Sequence, residues 1–365
     1  MGQVLTDQRG DDPRQLLAAA PRTEPIRLPG GRRVAVTLLT GFLGAGKTTL
    51  LNRILTGDHG LRVGVLVNDF GAINIDASLV ESVEENTISL VNGCVCCEVR
   101  DDLVTSLETM LARAEQIDYV ILEASGVADP GGIVMTFLDW KYRQALRLDS
   151  ITCVVDAEAI FRDADDEHLT GLKLRQIAFA DLVLLNKTDL VTPDHLEVVH
   201  EWIDAHIERI RVVETTHGEA PLEVLLGVGR FSAHDLPPET TVPQHASEQF
   251  QHWSCTTDQL FDRERLDEMV RRELPGAVYR CKGLVYTTTD PDQPYALQVV
   301  GRRCELTPRP AASTSPDRTS QIVAIGRCMN TAELDQLFAI CQTPTPGNAR
   351  RRIPWRSSTE TSGRP

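Results

Sequence analysis

The nine residues Gly41-Phe42-Leu43-Gly44-Ala45-Gly46-Lys47-Thr48-Thr49 constrain this chain more than any other stretch. They spell G-x-x-x-x-G-K-T after the apolar run Val34–Leu39 and ahead of a helix-compatible segment, Thr48–Leu55. Strand, glycine loop and helix in that order mark a phosphate-binding loop rather than a glycine-rich turn before an ordinary helix. Gly41, Gly44 and Gly46 let backbone N–H groups, that of Ala45 among them, curl around an anion with no Cβ in the way. A helix starting at Lys47 aims its positive end at the same phosphates. Lys47 supplies a point charge for the β- and γ-phosphates, and the Thr48 hydroxyl is a hard ligand for Mg²⁺.

Further apolar runs follow at Val63–Val67, Thr87–Val91, Tyr119–Leu122, Ile151–Val155, Leu182–Leu185 and Ile210–Val213, separated by helical patterns. Strands buried on both faces and alternating with helices predict an α/β fold, a P-loop NTPase with a mainly parallel sheet. The rhythm breaks at Gly229, Pro237, Pro238 and Pro243. Beyond it, strands near Phe250–Cys255, Ala277–Thr287, Tyr295–Val300 and Ile322–Ile325, with helices Asp262–Glu273 and Thr331–Ala339, predict a smaller α+β domain with one antiparallel sheet. The expected division is a flexible leader (1–32), a nucleotide domain (33–228), a linker (229–247), the α+β domain (248–342) and a disordered tail (343–365), with a loop at 308–320.

A net charge of −15 argues against a nucleic-acid partner, which needs a broad basic face, and against docking on an anionic membrane. No apolar run approaches the roughly 20 residues that span a bilayer, and the acidic N-terminus lacks the pattern of an export signal. With nine cysteines, three of them within four positions, the sequence points to reduced thiols, metal chemistry and a cytoplasmic setting.

Asn186-Lys187-Thr188-Asp189 directly follows the apolar strand Leu182–Leu185. A carboxylate at Asp189 can accept from the N1 and N2 protons of guanine, which adenine lacks, so one side chain can select GTP. Lys187 is expected along the base or against the phosphate loop, and Asn186 as a brace. Between the two motifs, Val120-Ile121-Leu122-Glu123-Ala124-Ser125-Gly126 is an apolar strand ending in an acid. Glu123 stands where such folds steady Mg²⁺, and Gly126 can approach the γ-phosphate. Asp69 and Asp76, after another strand, can each hold Mg²⁺ or its water, orient the attacking water, or bind a second metal. With no arginine finger or loop-adjacent glutamine in view, catalysis rests on Lys47, Glu123 and Asp69, and turnover is expected to be slow.

Asn92-Gly93-Cys94-Val95-Cys96-Cys97 closes the strand Thr87–Val91 ahead of a helix near Val99–Ala114. If the chain turns after Cys96, the thiolates of Cys94, Cys96 and Cys97 converge into a soft three-ligand site that favours Zn²⁺ and also suits Cu(I). Structural zinc sites close with four protein ligands, so an open fourth position fits a metal held for release. The competing reading is a set of small buried residues or a redox pair. The remaining cysteines read as core or surface thiols, and His234, His245 and His252 have no ligand spacing.

Taken together, G-F-L-G-A-G-K-T-T, N-D-F-G-A-I-N-I-D, G-C-V-C-C, E-A-S-G-V-A-D-P and N-K-T-D resemble the CobW-type GTPases. That family includes cobalamin-biosynthesis CobW, zinc-regulated metallochaperones and nitrile hydratase activators. The resemblance runs from about Val34 to Ile340, with Arg280-Cys281-Lys282-Gly283 similar to the R-x-K-G strand of the CobW C-terminal domain. It implies a GTPase metallochaperone that carries Zn²⁺, or Co²⁺ as the second cargo, on Cys94, Cys96 and Cys97. The metal would go to a client metalloprotein or a cofactor-synthesis enzyme. A GTP-dependent switch or metal and redox sensor acting through partner binding, or a non-hydrolysing assembly factor, are the alternatives. A homodimer is compatible with all three. Asp69 replaces a glutamate common among relatives, and the dense histidine stretch many of them carry near the linker is nearly absent.

Overall fold

The computed structural model describes residues 25–67, 87–91, 99–139, 141–162, 164–226, 250–301, 303–309 and 318–343, with the backbone path alone for 87–91 and 99–102. Seven strands form the first sheet: β1 (Val34–Thr40), β2 (Val63–Val67), β3 (Thr87–Val91), β4 (Tyr119–Glu123), β5 (Leu146–Asp156), β6 (Leu182–Asn186) and β7 (Arg211–Glu214). Their order is β3-β2-β4-β1-β5-β6-β7, and every neighbouring pair is parallel. All seven residues of β1 and all five of β4 are buried, the pattern expected of strands covered on both faces.

The covering helices are α1 (Lys47–Thr56), α2 (Val99–Leu111), α3 (Pro130–Leu138), α4 (Glu167–Phe179), α5 (Pro193–His206) and the single turn α6 (Leu222–Leu225). Side-chain caps start three of them: Asp129 accepts from Gly131 N, Asp166 from His168 N and Leu169 N, and Thr192 from His195 N. Each satisfies orphan amides of a first helical turn. On one face of the sheet Val36, Leu38, Val120 and Leu122 pack with Leu107 of α2 and Ile133 and Phe137 of α3. On the other, Leu39, Val65 and Ile121 pack with Leu50, Leu51 and Ile54 of α1 and with Tyr279 and Ile325 from the C-terminal region.

That region is a five-stranded antiparallel sheet, β12-β11-β10-β13-β8, made of β8 (Gln251–Thr257), β10 (Val278–Tyr286), β11 (Pro294–Val300), β12 (Arg303–Pro308) and β13 (Ser320–Gly326). Helices α7 (Arg263–Arg272) and α8 (Thr331–Ile340) bury Leu266, Met269, Leu334 and Phe338 against one face. The short β9 (Leu260–Phe261) and β14 (Gln342–Thr343) pair beside them. The two sheets touch through polar groups as well: Arg211 donates to the Val278 carbonyl, and Arg303 Nε to Asp181 Oδ2 at 2.9 Å.

Several bounds differ from the sequence expectation. β5 begins at Leu146 rather than Ile151, and β12 was not foreseen. α2 ends at Leu111, with a separate 3-10 turn at Ala114–Gln116. Inside the segment read as a leader, Ile26 N donates to Lys141 O at 2.9 Å and Leu28 is buried. At the head of the segment read as a tail, Thr343 pairs with Leu260.

Candidate nucleotide and metal site

The phosphate loop leaves β1 at Thr40 and enters α1 at Lys47. Its first glycine, Gly41, has φ +131°, and a Cβ there would run into the Val154 carbonyl, so β5 lies directly against the loop. Gly46 precedes α1 in the left-handed conformation. Lys47 is only 8% exposed and folds back over the loop to donate from Nζ to Phe42 O at 3.2 Å. Thr48 Oγ1 donates to Glu123 Oε1 at 2.8 Å, and Glu123 is 3% exposed at the end of β4. A hydroxyl and a buried carboxylate in contact at a helix start form a hard-oxygen pair suited to Mg²⁺. Gly126 follows closely, and a Cβ on it would lie 2.7 Å from Leu43 N, so the loop after β4 rests on the phosphate loop.

The base loop begins where β6 ends. Asn186, 2% exposed, donates from Nδ2 to Ala45 O at 3.0 Å, and its Oδ1 accepts from Gly218 N at 2.9 Å and Thr215 Oγ1 at 3.3 Å. It therefore ties the phosphate loop to the loop after β7. Lys187 takes a left-handed backbone (φ 63°) and donates from Nζ to Asp156 Oδ2 at 2.6 Å. Asp189 is exposed in the following 3-10 turn, Thr188–Leu190, with its carboxylate side open to solvent.

The structure thus brings Gly41, Gly44, Ala45, Gly46, Lys47, Thr48, Thr49, Glu123, Gly126, Asn186, Lys187 and Asp189 to the C-terminal edge of one parallel sheet. That edge is where ligands bind in open α/β folds. Asp69, Asp76, Cys94, Cys96, Cys97, His234 and His245 lie outside the described residues. His252 is exposed on β8. The strands that precede the first five are in place, however. Val91 is in register with Val67, Val67 with Glu123, and Glu123 with Leu39, so β3 and β2 end level with the start of the phosphate loop.

Among the described residues, no group of three His, Cys, Asp or Glu side chains is placed to hold a metal ion. Cys153, Cys255, Cys281, Cys304 and Cys341 are buried and Cys328 is exposed. Burial pushes the thiols of Cys153, Cys255 and Cys304 up to about 12 and that of Cys341 to about 11, so all four stay neutral at pH 7. No helix among the described residues is long and apolar enough to cross a membrane.

Four contributors escaped the sequence reading: Asp156, the Thr215–Gly218 loop, Lys173 and Gln176. Asp156 carries the same signal as Glu123, an acid closing an apolar strand, and was findable on that ground. Lys173 and Gln176 are 7% and 1% exposed on α4, where a lysine and a glutamine ordinarily read as solvated surface.

A glycine loop on β1, an acid on β4 and an N-K-x-D turn on β6 define a P-loop protein of the GTPase class. Residues 35–214 match the CobW/HypB/UreG nucleotide-binding domain, and residues 250–342 match the cobalamin synthesis protein CobW C-terminal domain. Zinc chaperone YjiA of Escherichia coli is 32% identical over 272 residues, covering 71% of this chain and 84% of that protein. Zinc chaperone CobW of Pseudomonas aeruginosa is 30% identical over 344 residues, covering 83% and 89%. Zinc-regulated GTPase metalloprotein activator 1 of Dictyostelium discoideum is 30% identical over 313 residues, covering 73% of this chain and 66% of that one. The crystal structure of Zn(II)-bound YjiA GTPase from E. coli aligns with 86% of the chain at 27% identity and a TM-score of 0.43. The chain belongs to the CobW family of P-loop GTPases.

Proposed function

We propose that this protein is a GTP-hydrolysing metallochaperone that carries Zn²⁺ on Cys94, Cys96 and Cys97 and yields it to a client metalloprotein. The reading is carried by one observation, the level at which β3 ends. From Val91 to Leu39 is three strand spacings, roughly 14 Å. Cys94 is three residues beyond Val91, a reach of about 10 Å in extended chain. The strand end that leads to Cys94 and the start of the phosphate loop therefore lie on the same edge of the sheet, three strands apart, which supports coupling between them. The names of the relatives, zinc chaperones and a zinc-regulated activator, point the same way.

In this reading Asp189 accepts from guanine, Lys187 flanks the base while Asp156 holds it, and the loop amides from Gly44 to Thr49 bind phosphate oxygens. Lys47 swings from Phe42 O to the β- and γ-phosphates. Thr48 and Glu123 would hold Mg²⁺, which when bound neutralises phosphate charge. Water attacks the γ-phosphorus, the bond to the β–γ bridging oxygen breaks, and GDP and phosphate leave. Asp69 and Asp76 are the candidates for orienting that water. Loss of the γ-phosphate releases the segments it had ordered, loosening the metal site.

The test is a Zn²⁺ titration of the protein loaded with a non-hydrolysable GTP analogue and, separately, with GDP. Tighter zinc binding in the GTP-like state, lost in Cys96→Ser with nucleotide affinity unchanged, is the expected result. Equal affinities in the two states would refute the coupling. Lys47→Ala is expected to abolish GTP turnover.

A further inference from the structure

Helix α4 touches both nucleotide-facing loops through two side chains one turn apart. Gln176 Nε2 donates to Gly126 O and to Ala128 O, each at 3.1 Å. Both partners are carbonyls, so the amide presents its NH₂ and uses both hydrogens. Lys173 places Nζ 5.0 Å from the centre of the Phe42 ring and donates to Ile160 O at 3.1 Å and Arg162 O at 2.6 Å. Phe42 is the residue whose carbonyl accepts from Lys47. The helix thus fixes the loop after β4 and steadies the phosphate loop from behind.

Strand order says which part of a nucleotide each loop meets. The base loop follows β6, the phosphate loop follows β1, and β4 lies on the far side of β1 from β6. A nucleotide anchored by its base near β6 and by its phosphates on the β1 loop extends its terminal phosphate toward β4. Glu123 and Thr48, the pair suited to Mg²⁺, mark that end.

We infer that Gln176 is a positioning residue for the terminal phosphate: by gripping the Gly126 and Ala128 carbonyls it sets the height of the loop after β4 above the phosphate loop, and so discriminates GTP from GDP. This rests on the nucleotide reading above. A replacement that keeps shape but loses both donors takes the side-chain partner from the buried Gly126 carbonyl and the half-buried Ala128 carbonyl and lets the loop shift. Gln176→Glu goes further and faces carboxylate oxygen against carbonyl oxygen. GDP does not reach the loop, so the effect falls on the triphosphate.

The experiment measures mant-GDP and mant-GTP-analogue affinities together with kcat and KM for GTP hydrolysis, in full-length wild type, Gln176→Glu and Gln176→Met. Thermal melting checks folding, and Gln176→Met fills the same volume if the charged variant does not fold. The expected result is a fall in kcat of about tenfold or more, as for other small misplacements of reacting groups. The analogue's affinity advantage over GDP shrinks with it, while GDP affinity stays within about threefold. Unchanged kcat and unchanged nucleotide preference in both variants would overturn the inference. So would equal losses for GDP and the analogue, which signify general loop damage. Wild-type protein that neither binds nor hydrolyses GTP would instead sink the nucleotide reading itself.

Discussion

Arg280 of β10 sets its guanidinium on the carboxylate of Asp149 in β5, and the two side chains are 2% and 1% exposed. This pair joins the C-terminal sheet to the middle of the nucleotide domain. Asp149 also accepts from Arg147 at 2.9 Å and from the Tyr119 hydroxyl at 2.7 Å, and Tyr119 is in turn 2.7 Å from Thr37 of β1. Arg280 donates as well to Val224 O at 3.2 Å. The network runs from the second domain to the strand that ends in the phosphate loop.

Breaking such a pair from one side leaves a buried charge uncompensated. Arg280→Met or Asp149→Asn is expected to destabilise the protein by about 3–5 kcal/mol, whereas the double variant should lose less than the sum of the two. Urea unfolding of the four proteins closes the cycle. Additive losses would mean that the two side chains act independently.

The same carboxylate gives a pH signature. Burial alone would push Asp149 up, but Arg280, then Arg147, Lys282 and the Tyr119 hydroxyl outweigh it and hold the carboxyl well below its usual range. A depressed folded value means that the stabilisation is present above the unfolded value of about 3.9 and fades as pH falls toward the folded one. The stability gap between wild type and Asp149→Asn should therefore be full at pH 5 and narrower at pH 3. Unfolding free energies at the two pH values test it, and a constant gap would remove Asp149 as the source.

Two glycines of the phosphate loop separate fold from ligand. Gly41 and Gly44 both have positive φ, +131° and +73°, but a Cβ at Gly41 would strike Val154 O while one at Gly44 meets nothing within 4 Å. Gly41→Ala should cost stability and nucleotide binding together. Gly44→Ala should cost about 1 kcal/mol of stability, the penalty for a left-handed alanine, and weaken nucleotide binding far more. Melting curves and mant-GDP titrations distinguish the two patterns. Wild-type affinity in Gly44→Ala would mean that the space above Gly44 is not phosphate space.

Most of the first sheet was legible because its strands are unbroken apolar runs. Val63–Val67 and Thr87–Val91 have the bounds that the sequence suggests. β5 was cut short for a physical reason: Arg147 and Asp149 interrupt its apolar pattern, and across the domain junction Arg147 meets Gln298 and Asp149 meets Arg280. A strand whose charges are satisfied from another domain cannot be recognised from its own composition. β12 was hidden similarly, since only Cys304 is buried between Arg303 and Glu305 and its ladder is completed by β11. In the site, motif spacing pointed to the residues that the structure gathers at the C-terminal edge of the first sheet, from Gly41 to Asp189. The supports, Lys173 and Gln176, were invisible because their role depends on tertiary placement against Phe42, Gly126 and Ala128.

In the proposed function, base selection falls to Asp189. Its neighbour Lys187 is held by Asp156, and Asn186 is fixed on three sides, so the turn carrying Asp189 is pre-set while the carboxylate itself is exposed. In that reading a carboxylate there would accept from the N1 and N2 protons of guanine, whereas an amide would offer one donor and one acceptor, which suits the C2 carbonyl and N1 proton of xanthine. Asp189→Asn should therefore lose GTP affinity by about 100-fold or more, as expected when a polar pocket loses its matched partner, and gain XTP affinity. Because Asn186 and Lys187 are untouched, melting temperature should not move. Competition of XTP and GTP against a mant-nucleotide reads the switch directly, and an unchanged order of preference would place base selection on another residue.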